Sequence, residues 1–184
     1  DIRIELGLVN QRLKSIQPDV ERILEHAITV ALEQLRIPGK IGGVRWPPVD
    51  FTFTRPLSVL VTSPEEEIVR LDDVLLKHDL QLRTIRNIER MVETQLGLST
   101  LVVPIGGVAT YPAQVRLDDS LSNVLTTASH EWVHHYLFFR PLGFNWNSTA
   151  EMVTINETVA GMLGKEISTK ALANIVDLSG NPIE

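Results

Sequence analysis

The stretch SHEWVHHYL, residues 129–137, holds three histidines and a glutamate in one short segment. Within it, His130 and His134 are four residues apart, and side chains at that spacing on a helix project from the same face, one turn apart. Two imidazoles in this arrangement can chelate one metal ion, and tetrahedral zinc suits this ligand type. The spacing therefore predicts a metal site on a helix.

Glu131 directly follows the first of these histidines, so on a helix its side chain points about 100° away from that of His130. This position places the carboxylate beside a bound metal and not on it. A carboxylate there can take a proton from a metal-activated water and hand it to a leaving amine, which is the chemistry of the H-E-x-x-H motif. His135 points about 100° away from His134, and we interpret it as a packing or rim residue.

A third ligand is predicted on a later helix, NSTAEMVTINETVAGMLGKEIS, which starts near Ser148. One face of that helix is small except for Glu157, because its other members are Ala150, Thr154, Gly161, Gly164 and Ser168. A single carboxylate among small residues is an unpaired buried charge unless a metal on the facing helix accepts it. Glu151 is the rival, but it lies about 240° round the same helix and falls near the helix start, where acids are common. We therefore predict Glu157 as the ligand.

The motifs HEWVH and NETVA, with Glu157 23 residues after His134, resemble those of the gluzincin metallopeptidases. This thermolysin-like group has an H-E-x-x-H helix and a glutamate ligand on a following helix. The resemblance covers residues 51–168 and implies a zincin-like domain. By this resemblance, His130, His134 and Glu157 bind Zn2+, and Glu131 is the general base of a peptidase.

Two features depart from the gluzincin pattern. Gly161 stands where the family commonly has an Asp that orients a zinc-bound histidine, so His130 needs another partner, with Asn156 or a backbone carbonyl as candidates. In addition, residues 158–184 contain no Tyr, His or Arg that could stabilise an oxyanion. Tyr111 is a possible substitute, and the alternative is a donor in sequence outside this segment.

Residues 110–117 are predicted to form an edge strand, because the internal Pro112 is poorly tolerated in a central strand. The resemblance implies that this strand binds a peptide or protein substrate, since an extended peptide can add to an exposed sheet edge. An ordinary edge that its proline protects is the alternative.

Composition limits the remaining possibilities. The chain has 184 residues, of which 43% are hydrophobic and 22% charged, so it can bury one sizeable core. A net charge of -6 and a pI near 5.4, without a basic stripe, argue against nucleic acid as a partner. There is no cysteine, so any metal must bind to His and carboxylate groups. The sequence contains no apolar run of about 18 residues, so it predicts no membrane span within this segment.

The chain begins at Asp1 without Met, and we expect it to be a piece of a longer protein. A signal peptide or membrane anchor could lie outside it. The compartment stays open, with an extracytoplasmic or membrane-anchored location among the possibilities.

Hydrophobic periodicity predicts the elements around the motifs. A helix is expected over 2–36, with a restart at Pro18-Asp19. The motif helix should start at Asp119 or Ser120 and run to about Phe139. Between them we predict strands at FTFT, LSVLVT and TLVVPI, a helix start at the acidic run 65–67, and helical structure from there to Gly97. The predicted organisation is an N-terminal helical segment at 1–37, a connector at 38–50 and a zincin-like metallopeptidase domain, possibly truncated, at 51–184.

The sequence thus predicts an α+β fold with a small mixed or antiparallel sheet, an H-E-x-x-H helix and a following helix that carries the glutamate ligand. The predicted function is zinc-dependent hydrolysis of peptide bonds. One alternative is a gluzincin-like module that binds zinc, is inactive and serves for interaction. The other is a helical adaptor without metal. Bound zinc distinguishes the adaptor from the first two, and turnover distinguishes the peptidase from the inactive module.

Overall fold

A computed structural model describes residues 2–55, 57–67, 69–71, 73–78, 80–117 and 120–179, with side chains as far as residue 175. The helices and strands in chain order are α1 (Ile2–Gln34), β1 (Lys40–Ile41), β2 (Val44–Arg45), β3 (Phe51–Thr54), β4 (Ser58–Pro64), β5 (Asp73–Leu76), α2 (Leu82–Leu96), β6 (Leu98–Pro104), β7 (Gly107–Val108), β8 (Ala113–Arg116), α3 (Leu121–Phe138), α4 (Pro141–Phe144) and α5 (Ala150–Ser179). This confirms a mixed α+β architecture with small sheets and a long N-terminal helix.

The chain divides into two compact units, Asp1–Thr54 with Gly107–Glu184, and Arg55–Gly106. The first unit therefore contains both the N-terminal helix and the motif helix. The predicted boundaries at 1–37, 38–50 and 51–184 describe parts of the chain that fold independently. A division into compact units does not test independent folding, so these boundaries stay a prediction.

The three-stranded sheet of the first unit has the order β3-β8-β7, with β3 parallel and β7 antiparallel to β8. The prediction that residues 110–117 form an edge strand is wrong, because β8 covers only 113–116 and is paired on both sides. Ala113 and Val115 of this central strand point into the core, at 2% and 0% exposure. Pro112 precedes the strand, so its missing N–H removes no bond from the ladder.

The two edges of this sheet differ. Side chains of α1 bond to the outer backbone of β3: Glu25 accepts from Phe51 N at 2.9 Å, Glu21 accepts from Phe53 N at 2.6 Å, and Gln17 donates to Phe53 O at 3.0 Å. Helix α1 thus covers the β3 edge. At the other edge, β7 lies against α3.

The core of the first unit forms where the second half of α1, the sheet, α3 and α5 pack together. Its buried members include Leu24, Ile28, Ala31, Leu32, Phe51, Leu125, Trp132, Val133, Ala160, Ile167 and Ala171. By contrast, the apolar residues in the first half of α1 are exposed, from Ile2 at 81% to Ile16 at 46%.

Helix α1 continues through Pro18 without the predicted restart. A proline inside a helix leaves the carbonyl four residues earlier without its intrahelical donor. Pro18 is exposed, so water can reach that carbonyl and bond to it. Exposure therefore explains why the helix tolerates this proline.

The second unit consists of the antiparallel sheet β5-β4-β6 and helix α2. The predicted helix start at 65–67 is wrong, because β4 runs to Pro64 and the chain then turns. The Ser63 hydroxyl donates to Glu67 O at 2.7 Å and accepts from Val69 N at 3.3 Å, so it stabilises this turn and not a helix terminus. Residues 73–76 form a strand because their backbone pairs with β4, and α2 begins only at Leu82.

We expect Leu32→Ala to lower the free energy of unfolding by about 2–5 kcal/mol, because it leaves a cavity in the core shared by α1, α3 and α5. Leu32 is 0% exposed. Leu8→Ala is the matched control on the same helix, since Leu8 is 61% exposed and its truncation should change stability by about 0.5 kcal/mol or less. Urea titration measures both, and equal effects would contradict this description of the core.

Candidate metal centre

Helix α3 carries the motif and is held firmly by its surroundings. It begins after Ser120, whose hydroxyl accepts a hydrogen bond from Asn123 N at 3.4 Å, whereas Asp119 lies outside the described residues. Trp132 is 2% exposed and its indole donates to Pro47 O at 3.0 Å. These contacts fix the rotation of α3, so His130 and His134 face α5.

Helix α5 approaches α3 closely at Gly164. A Cβ atom at this position would lie 3.0 Å from both the Cα and the N of His130. The buried face of α5 includes Asn156, Ala160, Gly164 and Ser168, which recur every fourth residue. The predicted small face is therefore only partly right, because Gly161 on it is exposed and has open space around it.

The structure brings the three predicted ligands together. His130 Nε2 lies 3.0 Å from His134 Nε2, and each lies 3.4 Å from one carboxylate oxygen of Glu157. One ligand atom from each residue falls within 4.8 Å of the others, so this group could hold a metal ion. Within the part of the chain that the structure describes, it is the one such group of three or more metal-binding side chains.

Asn156 orients His134. Its side-chain N–H donates to Leu142 O at 3.4 Å, which turns Oδ1 toward His134 Nδ1 at 2.9 Å. Since Oδ1 only accepts, His134 Nδ1 carries the proton and Nε2 presents its lone pair to the metal position. The prediction paired Asn156 with His130, but the structure pairs it with His134.

Glu131 is 7% exposed and lies outside the group of three. Its side chain lies against β7, because a Cβ atom on Gly107 would lie 2.5 Å from Glu131 Oε1 and 2.8 Å from Thr127 Cγ2. Gly107 therefore leaves the space that the carboxylate occupies. The sequence analysis missed this role, although the Gly106-Gly107 pair between two strands was a signal.

Burial and neighbouring charges shift the pKa values of the site. Burial raises the pKa of Glu131 to about 7, against the opposing effect of His130. Burial also lowers the pKa of His134. The hydrogen bond that His130 donates to Glu157 raises the pKa of His130, with burial acting in the opposite direction.

Tyr111, His135 and Glu151 are not part of the group. The Tyr111 ring packs edge-on against His135 at 5.4 Å, and its pKa is raised by burial and by the charges of Asp50 and Glu25. His135 Nε2 donates to Thr110 O at 2.7 Å, which confirms a packing role. Glu151 is exposed in the first turn of α5, and hydrogen bonds to its own backbone N–H and to Thr149 lower its pKa, as expected for an acid at a helix start.

The chain matches no protein-family model, and comparison with curated proteins and with solved structures finds no match. Among the described residues, no helix has the length and apolar character needed to cross a membrane. Of the features that the resemblance to gluzincins implies, the structure thus supports the group His130, His134 and Glu157.

We expect Gly164→Ala to weaken metal binding, because the new methyl group meets the His130 backbone and must push α3 from α5. Gly161→Ala is the control, since both changes add a methyl to the same helix and the space at 161 is open. Alanine favours the helix by about 1 kcal/mol over glycine, so Gly161→Ala should stabilise the chain and leave affinity unchanged. Competition with a chromophoric chelator for Zn2+ measures the affinity, and equal binding by both variants would contradict the close approach.

Asn156→Ala should lower the affinity for Zn2+ by about 10–100-fold, because His134 then loses the acceptor that fixes its ring and tautomer. The same competition assay reports the change. Asn147→Ala alters an exposed asparagine of the same unit and should bind as the unmodified chain does. An Asn156→Ala variant that keeps full affinity would show that Asn156 does not position the ligand.

Proposed function

We propose that the chain is a zinc-dependent peptidase in which His130, His134 and Glu157 hold the metal and Glu131 is the general base. The observation that carries this proposal is the convergence of the three ligand atoms within 4.8 Å of one another. The resemblance of the two motifs to those of gluzincins supports the same reaction, and a zincin-like fold is part of the proposal.

The donor set suits zinc. Imidazole nitrogen and carboxylate oxygen bind zinc at about 2.0–2.2 Å, so two ligands at a tetrahedral angle lie about 3.3–3.5 Å apart. The separations here are 3.0, 3.4 and 3.4 Å. Three protein ligands are typical of catalytic zinc, because the fourth position is then open to water or substrate.

When bound, zinc polarises a substrate carbonyl and lowers the pKa of water toward about 7. In this proposal Glu131 accepts the proton of the attacking water and delivers it to the leaving amine. Its carboxylate is near enough to the group for the charges of His130 and Glu157 to affect its pKa, although it is not a member of the group.

The position of β7 suggests where a substrate would lie. β7 is at the edge of its sheet beside Glu131, whereas α1 covers the opposite edge at β3. An extended peptide that added to β7 would pass the general base. We therefore assign substrate binding to β7 in place of residues 110–117.

One observation favours the inactive module as the second candidate. The Tyr111 ring packs on His135, and burial together with the charges of Asp50 and Glu25 raises its pKa. This placement gives no support to Tyr111 as the donor to an oxyanion. A chain that binds zinc without such a donor would act through binding alone.

We expect the chain purified without chelator to carry about one equivalent of zinc, as three ligands allow. Glu131→Gln should keep the zinc and abolish cleavage, because it removes the base and no ligand. His134→Ala should lose both, because a ligand is removed. Metal analysis and cleavage of an unfolded protein such as casein give the two readings.

The outcomes separate the candidates. Zinc without cleavage of any unfolded protein tested favours the inactive module. Equal cleavage by the unmodified chain and Glu131→Gln would assign the activity to a contaminant. A chain that retains no zinc would refute both candidates.

A further inference from the structure

An exposed aromatic surface lies at the C-terminal end of α3. We define this aromatic patch as Trp46, Phe138, Phe139, Phe144 and Trp146, which are 45%, 62%, 60%, 79% and 49% exposed. The Trp46 and Phe139 rings are 6.0 Å apart, and Phe138, Phe139 and Phe144 line a groove of about 550 Å³ with Arg140. Large aromatic side chains that gather on a surface mark a binding site for an apolar partner.

Apolar side chains at the tip of a hairpin extend the same region. Ile41 and Val44, at the turn between β1 and β2, are 64% and 67% exposed. A small cavity next to Trp46 is lined by Ile41, Lys40 and Arg140, so the hairpin and the end of α3 belong to one surface. Apolar groups thus project from separate loops toward the same side.

Charge distinguishes this region from the rest of the chain. The segments 36–49 and 137–150 contain four cations, Arg36, Lys40, Arg45 and Arg140, and no acidic residue, although the whole chain has 23 acidic residues against 17 basic ones. Lys40 pairs with Glu33 at 2.7 Å, and Arg45 is buried with its guanidinium on Ile37 O at 2.8 Å. Arg140 lies over the Tyr136 ring at 4.0 Å, at the border of the groove.

We propose that the aromatic patch seats the chain on the surface of a bilayer that contains anionic lipids. Phenylalanine and tryptophan side chains insert at the level of the headgroups, and Arg140 at the border of the groove attracts lipid phosphates. A second copy is the less suitable occupant, because a two-fold contact through this patch would bring Arg140 of both copies together.

The proposed contact would place the candidate metal centre near the membrane. Phe138 follows His134 by four residues on α3, so the patch begins about 6 Å along the helix axis from a ligand. The seating itself uses no residue of the metal group, and it holds whether or not the chain is a peptidase.

Co-sedimentation of the whole chain with lipid vesicles tests the proposal. Vesicles of phosphatidylcholine alone are compared with vesicles in which a quarter of the lipid is phosphatidylglycerol, at low and high salt. We expect binding to the anionic vesicles that weakens in high salt. Phe138→Ser and Phe144→Ser should each lower this binding about tenfold, because a buried aromatic ring is lost. Arg140→Gln should lower it about fivefold.

Two control variants carry the same kind of change elsewhere. Met162→Ser alters a side chain that is 71% exposed on α5, and Leu8→Ser alters one that is 61% exposed on α1. Both should bind anionic vesicles as the unmodified chain does, and circular dichroism verifies that every variant is folded. Loss of binding in the controls to the same extent would overturn the proposal, since binding would then come from general surface hydrophobicity.

Two further results would also overturn it. One is an unmodified chain that sediments with neither kind of vesicle. The other is a chain that does not bind vesicles but forms a dimer in solution, where Phe144→Ser dissociates the dimer. That result would assign the patch to a second copy.

Discussion

The close approach of α3 and α5 is the constraint on which the candidate metal centre depends. The backbone of His130 is so near α5 that position 164 has room for a hydrogen atom and not for a methyl group without movement. Because the helices are this close, the Glu157 carboxylate on α5 lies 3.4 Å from the Nε2 atoms of His130 and His134 on α3. The core that α1, the sheet, α3 and α5 share maintains that position, so the site depends on residues that never contact a ligand.

Burial shifts the pKa values of Glu131 and His134 in opposite directions, and in each case it favours the neutral form. Removal from water penalises charge, so it raises the pKa of Glu131 and lowers the pKa of His134. For the histidine, the favoured neutral imidazole is also the form that binds metals. Glu157 differs from both, because its side chain is 53% exposed and water can solvate its carboxylate.

The spacing of residues within each helix predicted the ligands. The features that the sequence did not predict depend on contacts between residues far apart in the chain. His130 and His134 follow from the helical period, and Glu157 follows from a lone acid on a small face. Asn156 was singled out, but which histidine it bonds depends on the rotation of α5 against α3. Strand β8 is central, and residues 73–76 form a strand, because each pairs with residues far away in the sequence. Apolar residues such as Val74 and Leu75 fit the period of a helix as well as that of a strand.

A metal ion held by His130, His134 and Glu157 would link the stability of the fold to metal supply. The two histidines and Glu157 belong to different helices, and 22 residues separate His134 from Glu157 in the chain. An unfolded chain therefore rarely presents all three together. An ion that binds only the folded form adds about 2.7 kcal/mol to its stability at a free concentration one hundred times the Kd. Thermodynamic linkage of this kind would let the lifetime of the chain follow the free metal concentration, whether or not the site carries out a reaction.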